Sequence, residues 1–386
     1  MSDLLSRIKA VSREVGFEVI GVTSVEPMLR DLAALSGWCS SGYAADMSYM
    51  TRQPELNASP GRLVHWARSI ITLGVNYYTA APEFRHENRY GRVARYAWGL
   101  DYHDVVKAKL GELSDRIRSL MDDAGFQARG FVDAVPLLER AAAERAGLGF
   151  FGKNTNLLRP SQGSWFFLAE LFVNIDLPAT GEPRQVSCGT CSRCMPACPT
   201  NAFAGPYLLD SRLCISYLTI ENKGPIPREL REAIGEWLFG CDVCQEVCPF
   251  NRFAEDTNWR HLRAEHGKGQ RIDLIELLGI STDARFREWC KGTPLTRPKR
   301  RGLLRNAAVA AANIGCEAAV PVLSMLIVDD PEPLIRGHAL WALARLELKR
   351  ASKFADAALR NDNDSFVREE AEAILSGCFA RQESKK

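Results

Sequence analysis

No stretch of this 386-residue chain comes near the ~18 consecutive apolar residues that a membrane span requires. Neither sign of charge dominates. Lys and Arg number 49 against 47 Asp and Glu, a formal net charge of +2, so any pull on nucleic acid must come from local clustering. A secretory leader needs an unbroken apolar block, and the opening MSDLLSRIKAVSREVGF has none. Its Leu4, Leu5, Ile8, Val11 and Val15 fall instead on one stripe of an amphipathic helix. These features lead to the expectation of a cytoplasmic, monomeric protein with no membrane partner. Hydrophobic residues at 46% and charged residues at 25% are ordinary for a globular protein, and the length calls for two or three domains.

Cysteine is what the chain has in plenty. Eight of its twelve cysteines lie between positions 188 and 248. In a chain read as cytoplasmic, that density points to metal or cluster ligation rather than disulfides. Cys39, Cys290, Cys316 and Cys378 are scattered and are expected to be small buried hydrophobes.

The run CGTCSRCMPACP (188–199) has the spacing of bacterial 4Fe–4S proteins, in which the fourth cysteine, the one before proline, ligates the other cluster of a pair. By that rule Cys188, Cys191 and Cys194 hold one cluster and Cys198 crosses to a second. The run CDVCQEVCP (241–249) lacks a first member but keeps Cys241, Cys244 and Cys248, with Cys248 before proline. Cys248 then completes the first cluster. The second has Cys198, Cys241 and Cys244, and Cys214, the remaining cysteine between the runs, is the eighth thiolate. Zinc is the competing reading, because paired C-x-x-C motifs also bind it. The order of spacings and the count of eight favour two clusters.

Three regions separate by pattern, giving an α+β multidomain expectation. Residues 1–178 mix helical stripes with strand-like runs at 69–78 and 164–175, and a helix is expected over 101–125 with Gly125 as its cap. This is a mixed α/β domain. Residues 179–260, rich in cysteine and proline, read as a ferredoxin-like domain organised by its clusters. Residues 261–300 are a linker ending in a basic loop. From 301 to 386, helices align with Arg305, Arg336 and Arg368 in register, 31 and 32 residues apart, as in an α-solenoid of HEAT-like repeats. A plain helical bundle is the alternative.

The sequence GLGFFG (147–152) spells a dinucleotide fingerprint, but it follows an alanine-rich helix, whereas the fingerprint must follow a strand and open a helix. Gly147 reads as a helix cap. Asp133, after an apolar stretch and before Pro136, suits the first turn of a helix. It is either a turn aspartate or a general acid with its pKa raised by apolar surroundings. Two stretches are basic: 85–98, with Arg85, Arg89, Arg92 and Arg95 among aromatics, and 291–305, with six basic residues and no acid. Arginine beside aromatics suits RNA, although a solvated loop explains either stretch alone.

RYAWGLDYH (95–103), FVDAVPLLERAAAERAGLGFFGKNTNLL (131–158), the first cysteine run, RLCISYLTIE (212–221) and GCDVCQEVCPFNR (240–252) together resemble the epoxyqueuosine reductases, over nearly the whole chain. That resemblance implies reduction of epoxyqueuosine to queuosine at the wobble position of tRNA. Electrons would pass from two 4Fe–4S clusters to a cobalamin held between the N-terminal domain and the ferredoxin-like domain, with an unidentified electron donor upstream. It implies Asp133 as proton donor, and Arg95, Tyr96, Lys153, Asn154, Ser216 and Tyr217 as cobalamin-pocket residues. Arg297, Lys299, Arg300, Arg301 and Arg305 are the expected tRNA contacts. The D-x-H-x-x-G cobalamin signature is absent, because Val106 stands where its glycine would be, so no histidine is expected on the cobalt. The rival readings are a corrinoid reductive dehalogenase acting on a small molecule and a non-enzymatic electron-transfer scaffold. The first leaves the basic stretches and the solenoid without a purpose.

Overall fold

The computed structural model describes residues 2–81, 87–121, 124–160, 162–181 and 186–377. Arg85 and Cys378 lie outside the described residues. Two compact units are present, and both are discontinuous in sequence. One comprises Met1–Ala80, Gly99–Arg212 and Asp242–His266; the other comprises Ala81–Trp98, Leu213–Cys241 and Gly267–Lys386. Among the described residues no helix is long and apolar enough to cross a membrane.

The first unit is built on an antiparallel sheet in the order Val19–Ser24, Ser69–Asn76, Phe166–Val173, Ala128–Phe131. The two central strands match the β-branched and aromatic runs and are buried along almost their whole length. One face carries the helix Tyr102–Met121, which ends short of Gly125 and buries Tyr102, Val106, Leu110, Leu113 and Ile117 at helical spacing. The N-terminal helix Ser2–Val15 packs against it through Leu5, Ile8 and Val15.

The short helix Glu139–Arg145 covers the opposite face with three buried alanines, Ala141 to Ala143. Such small side chains let the helix lie close to the sheet. Gly21 completes that approach, since a Cβ there would sit 2.3 Å from the Ala146 carbonyl. Ile70, Phe131 and Phe172 join Ala141 and Ala142 in the core of this face. Each such large side chain contributes about 1.5–3 kcal/mol when removed from water.

The second unit contains a three-stranded sheet, with Tyr90–Val93 between Trp237–Phe239 (parallel) and Arg271–Asp273 (antiparallel). The expected helical array follows. Helices Lys299–Asn313, Pro333–Leu346 and Ser365–Leu375 pack side by side, joined through Val320–Asp329 and Leu348–Asn361. Pro333–Leu346 is buried nearly all round, as the middle element of a stack must be. Gly337 lets it meet its neighbour, because a Cβ there would lie 2.3 Å from the Phe366 ring. Arg336 forks onto Asp362 at 2.8 Å through both Nε and Nη2, and Arg368 donates to the Asp362 carbonyl at 3.1 Å, so two of the in-register arginines lock one turn of the array.

Candidate active site and cluster pocket

The chain leaves the strand Ala128–Phe131 and turns sharply, putting Asp133 at φ +47°, a left-handed conformation that a non-glycine residue adopts at a cost of about 1–3 kcal/mol. The expected first turn of a helix is not there. The helix begins at Glu139, and Asp133 stands in the loop before it. Its backbone N–H donates to Glu139 Oε1 at 2.7 Å, a bond worth about 0.5–1.5 kcal/mol that helps to hold the turn.

The Asp133 carboxyl is aimed by the next layer. Tyr102 Oη donates to Oδ2 at 2.7 Å, and His103 Nε2 lies 3.9 Å from the same oxygen. Tyr102 is itself fixed by stacking on Phe167, with centroids 4.1 Å apart and planes 6° from parallel. His103 is oriented through Nδ1, 2.8 Å from Asp101 Oδ1. Burial works against a charge on Asp101, but the hydrogen bonds from the ring and backbone N–H of His103 prevail and hold it below the ordinary carboxylate range. Asp133 is not enclosed as expected. Its side chain is 66% exposed, a supported acid on an open surface.

The strongly perturbed carboxyls are two that motif and spacing did not single out. Burial, followed by the charge of Asp133, pushes Glu139 up to about 8. Glu170, fully buried on the central strand Phe166–Val173, is raised well above the ordinary range by burial and then by Glu139. One signal was available. Glu170 is the sole charged residue in FFLAELFV, a run otherwise suited to burial on both faces.

A second constellation surrounds the first cysteine run. Cys188, Cys191, Cys194 and Cys248 line one cavity with Lys153, Asn154, Leu158, Arg193, Pro249 and Phe250. Tight turns shape the run: Cys191 N donates to Cys188 O at 3.0 Å, and Gly189 takes φ +52°. Lys153 pins the loop, its Nζ donating to the carbonyls of Gly189 (2.8 Å) and Cys191 (2.9 Å) and its backbone N facing Cys188 Sγ at 3.4 Å. Asn154 donates to the Cys244 carbonyl at 3.3 Å. Lys153 and Asn154, expected beside cobalamin, are thus part of the cysteine pocket. Four thiols around a cavity, with N–H groups turned toward sulfur, fit a 4Fe–4S cluster. Burial raises the Cys194 and Cys248 thiols and neighbouring cysteines add to it, a cost that bound iron removes.

Cys198 Sγ accepts from Ala202 N at 3.3 Å, and Cys244 Sγ lies 4.0 Å from Asn156 Nδ2. Cys214 and Cys241 belong to the second unit, Cys214 just before the helix Ile215–Ile220 and Cys241 just after the strand Trp237–Phe239. Within that unit Tyr217 is buried and Ser216 partly so, Tyr96 packs on Phe239, and Arg95 lies over Trp98 with its guanidinium 4.5 Å from the ring. Cys290 and Cys316 are buried as expected, whereas Cys39 is only partly buried. Gly147, at φ +79°, caps the helix Glu139–Arg145, which removes the nucleotide reading of GLGFFG.

The tRNA expectation needs correction at two residues. Arg305 is fully buried, donating to the carbonyls of Leu218, Asn222 and Gly224 at 2.7–2.8 Å. Arg300 is buried against Asp330 and the Ile280 carbonyl. Their helix is covered by the array on nearly every side, so these guanidinia serve the fold. Lys299 is exposed, Arg301 partly so, and Arg297 is 60% exposed while paired with Glu221 at 2.9 Å. In the other basic stretch Arg89 pairs with Asp273 at 2.5 Å and Arg92 lies over the Trp237 ring at 4.3 Å.

Comparison with known proteins agrees with this layout. The family model for epoxyqueuosine reductase QueG matches residues 58–134, a 4Fe–4S double cluster binding domain matches 187–251, and HEAT repeats match 298–376. The epoxyqueuosine reductase of Pseudomonas aeruginosa is 41% identical over 347 residues, covering 89% of this chain and 94% of that one. That of Xanthomonas campestris is 38% identical over 351 residues, covering 89% and 96%. A crystal structure of epoxyqueuosine reductase with an epoxyqueuosine-modified tRNA-Tyr stem loop superposes with TM-score 0.88 at 31% identity, covering 97% of this chain and 98% of that one. The double-cluster segment, the helical repeats and identity over nine-tenths of its length all converge: this chain belongs to the epoxyqueuosine reductase family.

Proposed function

We infer that this chain reduces epoxyqueuosine in tRNA to queuosine. The observation that carries the reading is a carboxyl held open at Asp133 by Tyr102, in the same unit as a cavity ringed by four cysteines. Converting an epoxide to an alkene consumes two electrons and two protons and releases the oxygen as water. The chain has a means of handling each: thiolates for iron–sulfur clusters that pass single electrons, and a supported acid for protons.

In this reading Cys188, Cys191, Cys194 and Cys248 hold one 4Fe–4S cluster, and Cys198, Cys214, Cys241 and Cys244 hold the other. Asp133 donates a proton to the oxygen as its bond to carbon breaks, and Tyr102 and His103 keep the carboxyl pointed at that oxygen. The Asp133 carboxyl stands exposed, and Arg95, Tyr96, Ser216 and Tyr217 are the further residues offered to hold a cobalamin. When bound it supplies a strongly reducing, nucleophilic metal centre. Lys299, Arg301 and Arg297 provide exposed cations for phosphates of the tRNA. The same reading has the protein act in the cytoplasm as a monomer served by a separate electron donor.

The test is anaerobic. Purified protein, cobalamin, a chemical reductant and tRNA carrying epoxyqueuosine are combined, and the nucleosides are analysed. Queuosine is expected from the wild type. Asp133→Asn should retain cluster and cobalamin content yet form none. Full turnover by that variant would remove Asp133 as the acid, and no queuosine from intact wild type would remove the function.

A further inference from the structure

Glu170 occupies an unusual place. It is fully buried, in antiparallel register with Thr72 on one side and Phe131 on the other. Residues paired across a sheet point to the same face, so Glu170 and Thr72 share the face that Ile70, Phe172 and the alanines of Glu139–Arg145 make apolar. Among the described residues, neither Glu170 oxygen, nor the buried Thr72 hydroxyl, has a conventional hydrogen-bond donor. What faces Glu170 is the Glu139 carboxyl. Two carboxylates cannot meet in an apolar layer with both ionised; one proton between them turns repulsion into a hydrogen bond.

We propose that Glu139 and Glu170 form a proton-sharing carboxyl pair that anchors the Asp133 backbone, making both of them positioning residues for the acid. The proposal rests on the reading of Asp133 as proton donor. Glu139 has two duties. One oxygen accepts the Asp133 N–H at 2.7 Å, and the carboxyl also meets Glu170, so the buried strand is tied to the left-handed turn through one side chain. Asp133 itself keeps its carboxyl free for Tyr102 and His103.

The charged groups around the pair are few. Arg140 from the same helix faces Glu139 and Asp133 while donating to the Thr155 carbonyl at 2.6 Å. Arg145 is directed away, to Thr23 and the carbonyls of Ser24 and Glu26. Among the described residues, one nearby cation thus stands beside three carboxyls, and a shared proton relieves the excess. The pair keeps that proton at neutral pH, because Glu139 titrates near 8 and Glu170 is raised as well. Their mutual hydrogen bond raises Glu170 and lowers Glu139, so Glu170 holds the proton and Glu139 accepts it. Only when Glu170 is ionised too do two like charges separate the side chains and weaken the hold on Asp133.

The test uses holoenzyme with both clusters, in two readouts. Infrared difference spectra should show a protonated carboxyl C=O band at neutral pH that disappears in Glu170→Gln and persists in Asp133→Asn. In turnover, Glu139→Leu should lower kcat more than about tenfold with KM little changed. Glu139→Gln keeps an acceptor for the Asp133 N–H and gains a donor for Glu170. It should recover most of that loss, and its rate should lack the wild type's decline in alkaline solution, where the pair loses its last proton. Absence of the band, or a Glu139→Gln enzyme as slow as Glu139→Leu, overturns the pair; if Glu139→Leu fails to fold, the band and the Glu139→Gln pH profile still decide. Turnover by Asp133→Asn with the band intact overturns the acid assignment alone.

Discussion

The phenol of Tyr102 donates to the Oδ2 of Asp133 across 2.7 Å, while its ring lies flat on Phe167. The packing and the hydrogen bond can therefore be separated by experiment. Tyr102→Phe preserves the stack and removes one donor. It should lower kcat by about 3- to 15-fold with KM nearly unchanged, the loss expected for one hydrogen bond to a reacting group. Steady-state kinetics on modified tRNA measure this, and an unchanged kcat would show that the phenol contributes nothing to the chemistry.

Lys153 joins the loop before the cysteine run to the run itself through two carbonyls. Lys153→Met keeps the stem and loses both bonds. Iron should still be incorporated, at about eight per chain, but should leave several-fold faster under a chelator, followed by absorbance. Cys248→Ala and Cys214→Ala should each abolish one cluster, leaving about four irons. An iron content of eight in either would defeat that cysteine's assignment.

The basic stretch 291–305 divides by burial. Neutralising Arg297, Lys299 and Arg301 together should weaken tRNA binding and flatten its salt dependence, by about 0.7–0.9 in log–log slope for each phosphate no longer neutralised. Arg305→Leu should behave differently. It strands three main-chain carbonyls, each costing about 1–3 kcal/mol, and should lower the melting temperature of the chain. Equal effects of the two changes on the salt slope would contradict the division.

His338 provides a pH test of the helical array. It is fully buried, its Nε2 accepting from Ile226 N at 3.2 Å and its Nδ1 2.8 Å from the Leu334 carbonyl, which fixes the neutral Nδ1–H tautomer. Burial first, then Arg231 and Arg305, hold its pKa well below 6.5. The unfolded chain therefore takes up this proton before the folded one does. Stability should fall as pH drops below about 6.5, with the slope of one proton, and not change above it on this account. Denaturant midpoints between pH 8 and 5 measure this, and His338→Gln should remove the slope.

Much of the architecture was readable in local pattern. Strands Ser69–Asn76 and Phe166–Val173 follow from β-branched and aromatic runs, and the array follows from a repeat of 31 and 32 residues, because backbone periodicity is written into neighbouring positions. Asp133 was less legible. Its place before Pro136 suggested a helix start, but the tie to Glu139 Oε1 holds it in a left-handed turn instead. Arg300 and Arg305 read as a surface basic cluster because the apolar layers that bury them come from elsewhere in the chain.

By itself the sequence determined the chemistry carried by spacing. Cysteines separated by two residues can reach one cluster from a tight loop whatever surrounds them, and the one before proline reaches its neighbour, so eight thiolates imply two clusters. The tertiary structure alone decided which charged groups meet and which lose their water. Glu139 and Glu170 are 31 positions apart, yet the helix laid over the sheet turns them toward each other in an apolar layer. Desolvation and like-charge proximity depend on neighbours that only folding supplies, and those two forces set the proton on this pair.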